Sequence, residues 1–316
     1  MEKKLAFLLE ELKRKLRSRN IDIEIRENVP MSRYTSFKAG GCAAAFAEVH
    51  SSRNLAVLLE TAVQLEIPHM ILGNGSNTLF RDSGYEGLVI RPGTGMDYVN
   101  ISPSEDKGET FQVRCGVSVL LSVLARSILA ESLTGFEFAS GIPGSLGGAL
   151  FMNAGAYGGE MKQVVKWVRA ISPDGKEEKI FTNEEMQFGY RHSVLEDNGY
   201  IAVEAMLELR KGDRDEIAAQ MKELAARRNA KQPVNFPSAG STFKRPQGYF
   251  AGKLIEDAGL KGVSVGGAQV SVLHSGFIIN KDNATAEDIL QLITLVQNAV
   301  YDKFGVMLEP EVRIIG

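Results

Sequence analysis

Cysteine is nearly missing: Cys42 and Cys115 are the only two in 316 residues, and neither stands in a C-x-x-C. One disulfide is formally possible, but no staple framework exists, and this usage points to a reducing compartment. An excess of one charge is missing too. Lys+Arg number 36 against 39 Asp+Glu, a formal −3, which lacks the basic surplus of a dedicated nucleic-acid binder. No apolar run approaches the ~18 residues of a membrane span. The N-terminal MEKKLAFLLEELKRKL begins basic and then apolar, as a signal peptide does. Glu10 and Glu11 break it short of the ~7–15 apolar residues such a peptide needs. These absences point to the cytoplasm, with neither membrane nor nucleic acid as partner.

Several chemistries are excluded by their motifs. The four histidines, His50, His69, His192 and His274, form no H-x-x-x-H and have no cysteine nearby, so no metal site is expected. There is no G-x-x-x-x-G-K-[ST] phosphate loop and no G-x-S-x-G elbow. G-x-G-x-x-G fails as well: Gly73-Asn74-Gly75-Ser76-Asn77-Thr78 departs from it at the last position. If a nucleotide is bound, a Rossmann turn is not the device.

What is present is an ordinary soluble mix, 44% hydrophobic and 24% charged, long enough for about two domains. Leu5, Leu8, Leu9, Leu12 and Leu16 predict an amphipathic first helix. Leu55, Val57, Leu58, Leu59 and Val63 form the stripe of a second, at about 53–66, stopped by Pro68. HMILGNGSNTLF reads as a strand entering a glycine turn, and GLVIRP and FQVRCGV as further strands. Residues 118–131 form another helix. WVRAIS and KEEKIF are joined by Pro173-Asp174-Gly175 as a hairpin. Near residue 210 the composition shifts to a charged helix, KGDRDEIAAQMKELAARRNAKQP, with Ile217, Met221 and Leu224 on one face and Pro233 beyond. After it come a short helix AGKLIEDAG, strand-like VSVLHSGFIIN, and a long helix opened by Thr285 with Asp288 in a capping-box position. Strand-like VMLEPEVRIIG ends the chain. The class is α/β, or α+β. The segments are 1–28, a helical N-terminus; 29–209, a first domain; and 210–316, a second.

Glycine is in excess, 32 of 316, where about 7% is usual. Seven fall within SGIPGSLGGALFMNAGAYGGEM: Gly141, Gly144, Gly147, Gly148, Gly155, Gly158 and Gly159. Such a loop permits positive φ and close backbone approach. Its successive N–H groups can form an anion nest, strengthened by a following helix start. GNGSN at 73–77 is a second such turn, with Ser76 and Asn77 as side-chain donors. Either could be a plain structural loop. Two in one chain favour a long, diphosphate-bearing ligand gripped at several points.

GNGSN, SGIPGSLGGALFMNAGAYG, FGYRHS, AGSTFKRP and LEPEVR, in this order, resemble the bacterial UDP-N-acetylenolpyruvoylglucosamine reductases from about residue 30 to the end. The resemblance implies a vanillyl-alcohol-oxidase-type FAD-binding domain of two subdomains at 29–209, followed by an α/β substrate domain. FAD would be held by Arg33, Tyr34, Thr35 and Ser36, by Gly73, Asn74, Gly75, Ser76 and Asn77, and by the segment of Ala139, Ser140, Gly141, Ile142, Pro143, Gly144, Gly147 and Asn153. No histidine lies in these loops, so the FAD is expected to be non-covalent. The implied reaction is NADPH-driven reduction of UDP-N-acetylglucosamine-enolpyruvate to UDP-N-acetylmuramate, a cytoplasmic step toward peptidoglycan. Another flavin-dependent oxidase or dehydrogenase of this fold, or a non-catalytic nucleotide-binding module, stands as the alternative.

Three residues are implied for the chemistry. Arg191, by sequence alone a surface arginine, offers a donor fork for the enolpyruvyl carboxylate. Glu311, by sequence alone a solvated edge residue, has a polarising role there. Ser241, otherwise a turn former, is the proton donor to C2, with Lys244 as electrostatic support. Arg228 and Lys231 match a basic pair that meets the UDP diphosphate, or are a solvated helix end. Tyr249, Lys253 and His274 are further substrate contacts. Only Gln247 to Tyr249 separate FKRP from FAGKLIEDAGLKG, so the chain resembles the short form of the family, which lacks an insertion carrying substrate contacts.

Overall fold

The leucines of the N-terminal segment lie on one side of the helix Glu2–Ser18, where Leu9, Leu12 and Leu16 are buried. That helix packs on the helix Ser52–Gln64, which starts at Ser51, whose hydroxyl accepts from Asn54 N. Leu55, Leu58 and Leu59 face inward, but Val63 is exposed and Thr61 and Ala62 take its place in the core. The helix ends at Gln64, before Pro68 acts, because Glu66 turns left-handed at φ +54°. The computed structural model describes residues 2–104 and 110–316. Among them no helix is long and apolar enough to cross a membrane.

Compactness divides the chain into two units, each assembled from separate stretches: 1–26, 45–74 and 87–226 in the first, 27–44, 75–86 and 227–316 in the second. The sequence reading instead places its divisions at 28/29 and 209/210. Residues 27–44 and 75–86 belong with the C-terminal part because Phe37, Ala39 and Leu79 are buried in its core. The boundary between the units falls at 226/227, inside the helix Arg214–Lys231 and not before it.

The first unit is centred on an antiparallel sheet in the order Glu178–Thr182, Val165–Ile171, Ile201–Lys211, Thr110–Gly116, Val99–Pro103. Its outer pair is the hairpin turned by Pro173-Asp174-Gly175; Gly175 has φ +75° and no room for a Cβ, which would lie 2.2 Å from Ala56 O. In the same unit His69–Ile71 pairs in parallel with residues 88–90. Glu204 is buried in the central strand beneath Tyr98, with Arg114 Nε at 2.9 Å and Arg169 Nε at 3.4 Å. Burial pushes its carboxyl up, but the Tyr98 hydroxyl and the two guanidinium groups outweigh burial and hold it below the usual glutamate value. Burial and Glu204 together push the Tyr98 phenol up to about 12. Cys115 is buried next to this cluster, and burial first, then Glu204, pushes its thiol up; both cysteines are free.

In the second unit the helix Ala286–Phe304 lies on the three-stranded sheet Ser264–Val265, Ala268–Val270, Ile278–Asn280. The capping box forms as expected, with Asp288 N donating to Thr285 Oγ1 and Thr285 N to Asp288 Oδ2, each at 3.0 Å. Asp82, from a distant segment, accepts from the next two free N–H groups, Ala286 N at 2.9 Å and Glu287 N at 2.8 Å. VSVLHSGFIIN is not one strand: 271–277 is a turn with Val272 and Leu273 exposed, held by Leu273 N and His274 N donating to Ser271 Oγ. Of VMLEPEVRIIG only Arg313–Ile315 is a strand, paired in parallel with Thr78–Phe80.

Candidate active site

In the first unit Gly73 and Asn74 meet the glycine-rich segment. The Asn74 amide donates to Pro143 O at 2.7 Å. A Cβ on Gly73 would lie 2.8 Å from Ser145 Oγ, and exposed Gly148 has only that oxygen within 4 Å. Ser145 precedes the short helix Leu146–Phe151, yet its hydroxyl does not cap it. The result is a floor of bare backbone around one hydroxyl, which suits a diphosphate: phosphate oxygens need close backbone approach and hydrogen-bond donors. The expected nest is only partly available. Leu146 N donates to Val119 O at 2.9 Å and Gly147 N to Val117 O at 2.8 Å, so both are spent on the fold. Gly147 also lacks a positive φ; it is a glycine because a Cβ would press on Val117 Cβ at 3.1 Å. Ala139 is buried in the short turn Glu137–Ala139 and accepts from Ile142 N, and the Ser140 hydroxyl donates to Glu137 O. Gly141 and Pro143 are exposed and Ile142 and Gly144 half-buried, with Gly144 O accepting from Leu121 N.

Asn153, expected at the cofactor, is 1% exposed; its Nδ2 donates to Gly189 O at 2.9 Å and Glu160 Oε2 at 3.1 Å, and its Oδ1 accepts from Lys162 N at 2.9 Å. Both donors and an acceptor are thus engaged by protein partners. Gly189 opens the turn bearing Arg191, which has φ +55° and donates from Nη2 to Gly155 O at 3.3 Å.

The second unit gathers the remaining motifs. Thr35 is buried, its hydroxyl donating to Ala39 O, while Arg33 is exposed and Tyr34 half-buried. Ser36 N donates to Gly75 O at 3.1 Å. Gly75 has φ +63°, and a Cβ there would lie 2.0 Å from Tyr34 O, so only glycine fits. Ser76 is half-buried beside it. Asn77 Nδ2 donates to Glu311 O at 3.0 Å, and Arg313 N to Asn77 O at 3.0 Å.

Glu311 pairs in one short ladder with Thr242, the residue after Ser241. Glu311 N donates to Thr242 O and Lys244 N to Glu309 O, both at 2.8 Å, with Phe243 opposite Pro310. Pro310, which has no N–H, occupies the one place between those bonds where none is needed. Thr242 anchors the ladder from below: its N donates to Gly276 O at 2.8 Å and its hydroxyl accepts from Ile278 N at 3.0 Å. Gly240 has φ +78° with open space around it, and half-buried Ser241 follows directly.

Lys244 is ion-paired with Glu309, so its charge is largely offset. Lys253 pairs with Asp257 at 2.5 Å along its own helix. Arg228 and Lys231 share the last turn of their helix, where cations are favoured by its dipole. Tyr249 is exposed. Burial holds His274 below its ordinary value, so it is a neutral hydrogen-bonding group at pH ~7. Glu160 and Lys162, which hold Asn153, escaped the sequence reading; the run of glycines around them was the available signal.

Two family models match the chain: "FAD binding domain" over residues 43–180 and "UDP-N-acetylenolpyruvoylglucosamine reductase, C-terminal domain" over 232–315. The chain is 49% identical over 293 residues to the UDP-N-acetylenolpyruvoylglucosamine reductase of Clostridioides difficile, covering 93% of this chain and 94% of that one. It is 50% identical over 287 residues to the Alkaliphilus oremlandii protein of the same name, covering 91% and 92%. The crystal structure of the Thermus caldophilus reductase superposes with a TM-score of 0.77 at 32% identity, over 93% of this chain and 99% of that one. The fold is therefore the expected α/β one with an FAD-binding domain, and the chain belongs to the UDP-N-acetylenolpyruvoylglucosamine reductase family.

Proposed function

We propose that this protein reduces UDP-N-acetylglucosamine-enolpyruvate to UDP-N-acetylmuramate with NADPH as donor, in the cytoplasm, for peptidoglycan synthesis. It is an FAD-dependent oxidoreductase. FAD would supply the hydride transfer from the nicotinamide to C3 of the enolpyruvyl group. Gly73, Asn74, Ser145 and Gly148 in the first unit are residues that would hold it. Arg191 clamps the substrate carboxylate, on which negative charge grows as hydride arrives, and a fixed cation stabilises that charge. Glu311 polarises the conjugated double bond. Ser241 supplies the proton to C2, a step open to a weak acid because the carbon it meets is strongly basic. Arg228, Lys231 and Tyr249 are assigned to the UDP moiety.

The observation that carries this reading is the ladder Thr242–Lys244 against Glu309–Glu311, in which Glu311 N donates to the carbonyl of Thr242, the residue that follows Ser241. The test is colour. Purified protein is expected to be yellow, to bleach with NADPH, and to recover under anaerobic conditions with the enolpyruvyl sugar nucleotide. Acid precipitation should release all flavin into the supernatant. Recovery with oxygen or another acceptor, but not with that substrate, would mark a different flavin oxidoreductase; nucleotide binding without bleaching would mark a binding module.

A further inference from the structure

Arg191 sits in a strained turn, and one buried side chain fixes that turn in place. Gly189 N donates to His192 O at 3.0 Å and His192 N to Gly189 O at 3.4 Å, closing a two-residue loop around Tyr190 and Arg191. Arg191 occupies the position of positive φ, at +55°, where glycine or asparagine is favoured and an arginine costs backbone energy. Such a conformation persists only where its surroundings over-determine it. Here they do. Asn153 ties the Gly189 carbonyl to Glu160 and to Lys162 N, and Ser193, fully buried just after the turn, donates to Phe151 O at 2.7 Å. The guanidinium reaches Gly155 O, two residues beyond Asn153. Gly155 is itself locked, since a Cβ would lie 2.6 Å from Gly159 O. Asn153 adopts φ +44°, which asparagine tolerates better than most residues. Main chain and side chain of Arg191 are thus both referenced to the 153–162 segment.

We propose that Asn153 is a positioning residue for Arg191: its carboxamide sets the turn from which the guanidinium is presented, without touching substrate or cofactor. The proposal rests on the reading of Arg191 as the carboxylate clamp. Its consequence is a defect confined to the step in which the enolpyruvyl group reacts.

Asn153→Ala opens a cavity and endangers the fold, so the test uses a near-isosteric change. Asn153→Asp keeps the acceptor for Lys162 N but loses both donations and faces Glu160 with a like charge. Adding Glu160→Gln returns a donor–acceptor pair between the two side chains, while the Gly189 carbonyl loses its donor and meets a carboxylate oxygen. In this double variant of the holoenzyme the thermal midpoint falls, because a charge is left in a buried site, but flavin content and the rate of flavin reduction by NADPH are expected to match the wild type. Flavin reoxidation by the enolpyruvyl sugar nucleotide should slow by about 10²-fold, the scale of a small misplacement of a reacting group. The substrate-induced change in the flavin spectrum should half-saturate at higher concentration. In an Arg191→Ala background the same double change should add nothing. Unchanged reoxidation, a full additional loss in the Arg191→Ala background, or failure of the double variant to fold and hold flavin overturns the proposal. Normal reoxidation in Arg191→Ala alone would instead show that the reading of Arg191 is at fault.

Discussion

Asn77 gives its side-chain amide to the main-chain carbonyl of Glu311, 234 positions away, at 3.0 Å. The same residue accepts from Arg313 N through its own carbonyl, so Glu311 is held on one side by the GNGSN turn and on the other by Thr242. The amide joins two motifs far apart in sequence.

Asn77→Ala should therefore keep its flavin and lose speed. The backbone bond to Arg313 survives, and the deleted hydrogen bond is worth about 1 kcal/mol. Flavin content should stay at the wild-type level while reoxidation by substrate slows more than reduction by NADPH. Loss of flavin with equal slowing of both steps would return Asn77 to the cofactor.

Two glycines separate fold from binding. Gly75→Ala puts a Cβ 2.0 Å from Tyr34 O at a positive φ, and soluble, flavin-loaded protein should not be recovered. Gly148→Ala meets nothing nearer than Ser145 Oγ at 3.9 Å, and in a helix the alanine should leave stability unchanged or raise it by up to ~1 kcal/mol. Its flavin content should nevertheless fall. Circular dichroism and flavin absorbance of both variants decide the matter; full flavin in Gly148→Ala would show that the cofactor passes elsewhere.

The Tyr98–Glu204–Arg114–Arg169 cluster should mark the acid limb of stability. Glu204 has a folded value below its unfolded one, so it stabilises the protein above the ordinary carboxylate value of ~4.3, and the contribution is lost as pH falls through the folded value. Glu204→Gln should lower the melting temperature at pH ~7, and the difference from the wild type should shrink as pH falls through the folded value. Melting curves of apoprotein across that range provide the check, and parallel curves would remove Glu204 from the account.

Local signals carried most of the element assignments. The leucine spacing of Glu2–Ser18, the Pro173-Asp174-Gly175 hairpin and the Thr285 capping box each depend on neighbours within a few residues, and each is where the sequence places it. Long-range partners were not legible. Asp82 completes the cap of a helix some 200 positions later, and nothing near Asp82 announces it. Val63 fits the helical stripe but faces out, because burial is set by what packs on the helix and not by the stripe alone. The glycine cluster was visible as a cluster, yet its members do different work: Gly147 is excluded from a side chain by Val117, Gly148 is open, and Gly155 braces the Arg191 turn. Asn153 illustrates the limit best. Its neighbourhood in sequence suggests a ligand, while its hydrogen bonds go to residues 160, 162 and 189.

The central claim is that Ser241, next in the chain to the Thr242 that pairs with Glu311, delivers the proton to C2 after hydride has reached C3. Stopped-flow absorbance of the two half-reactions in Ser241→Ala tests it most directly. Flavin reduction by NADPH requires no proton from Ser241 and should run at the wild-type rate. Reoxidation by the enolpyruvyl sugar nucleotide should slow by about 10²–10⁴-fold, the usual worth of general-acid assistance, and Ser241→Cys should recover part of it. If reduction falls as far as reoxidation, Ser241 shapes the pocket and does not donate the proton, and Glu311 becomes the residue to test for that role.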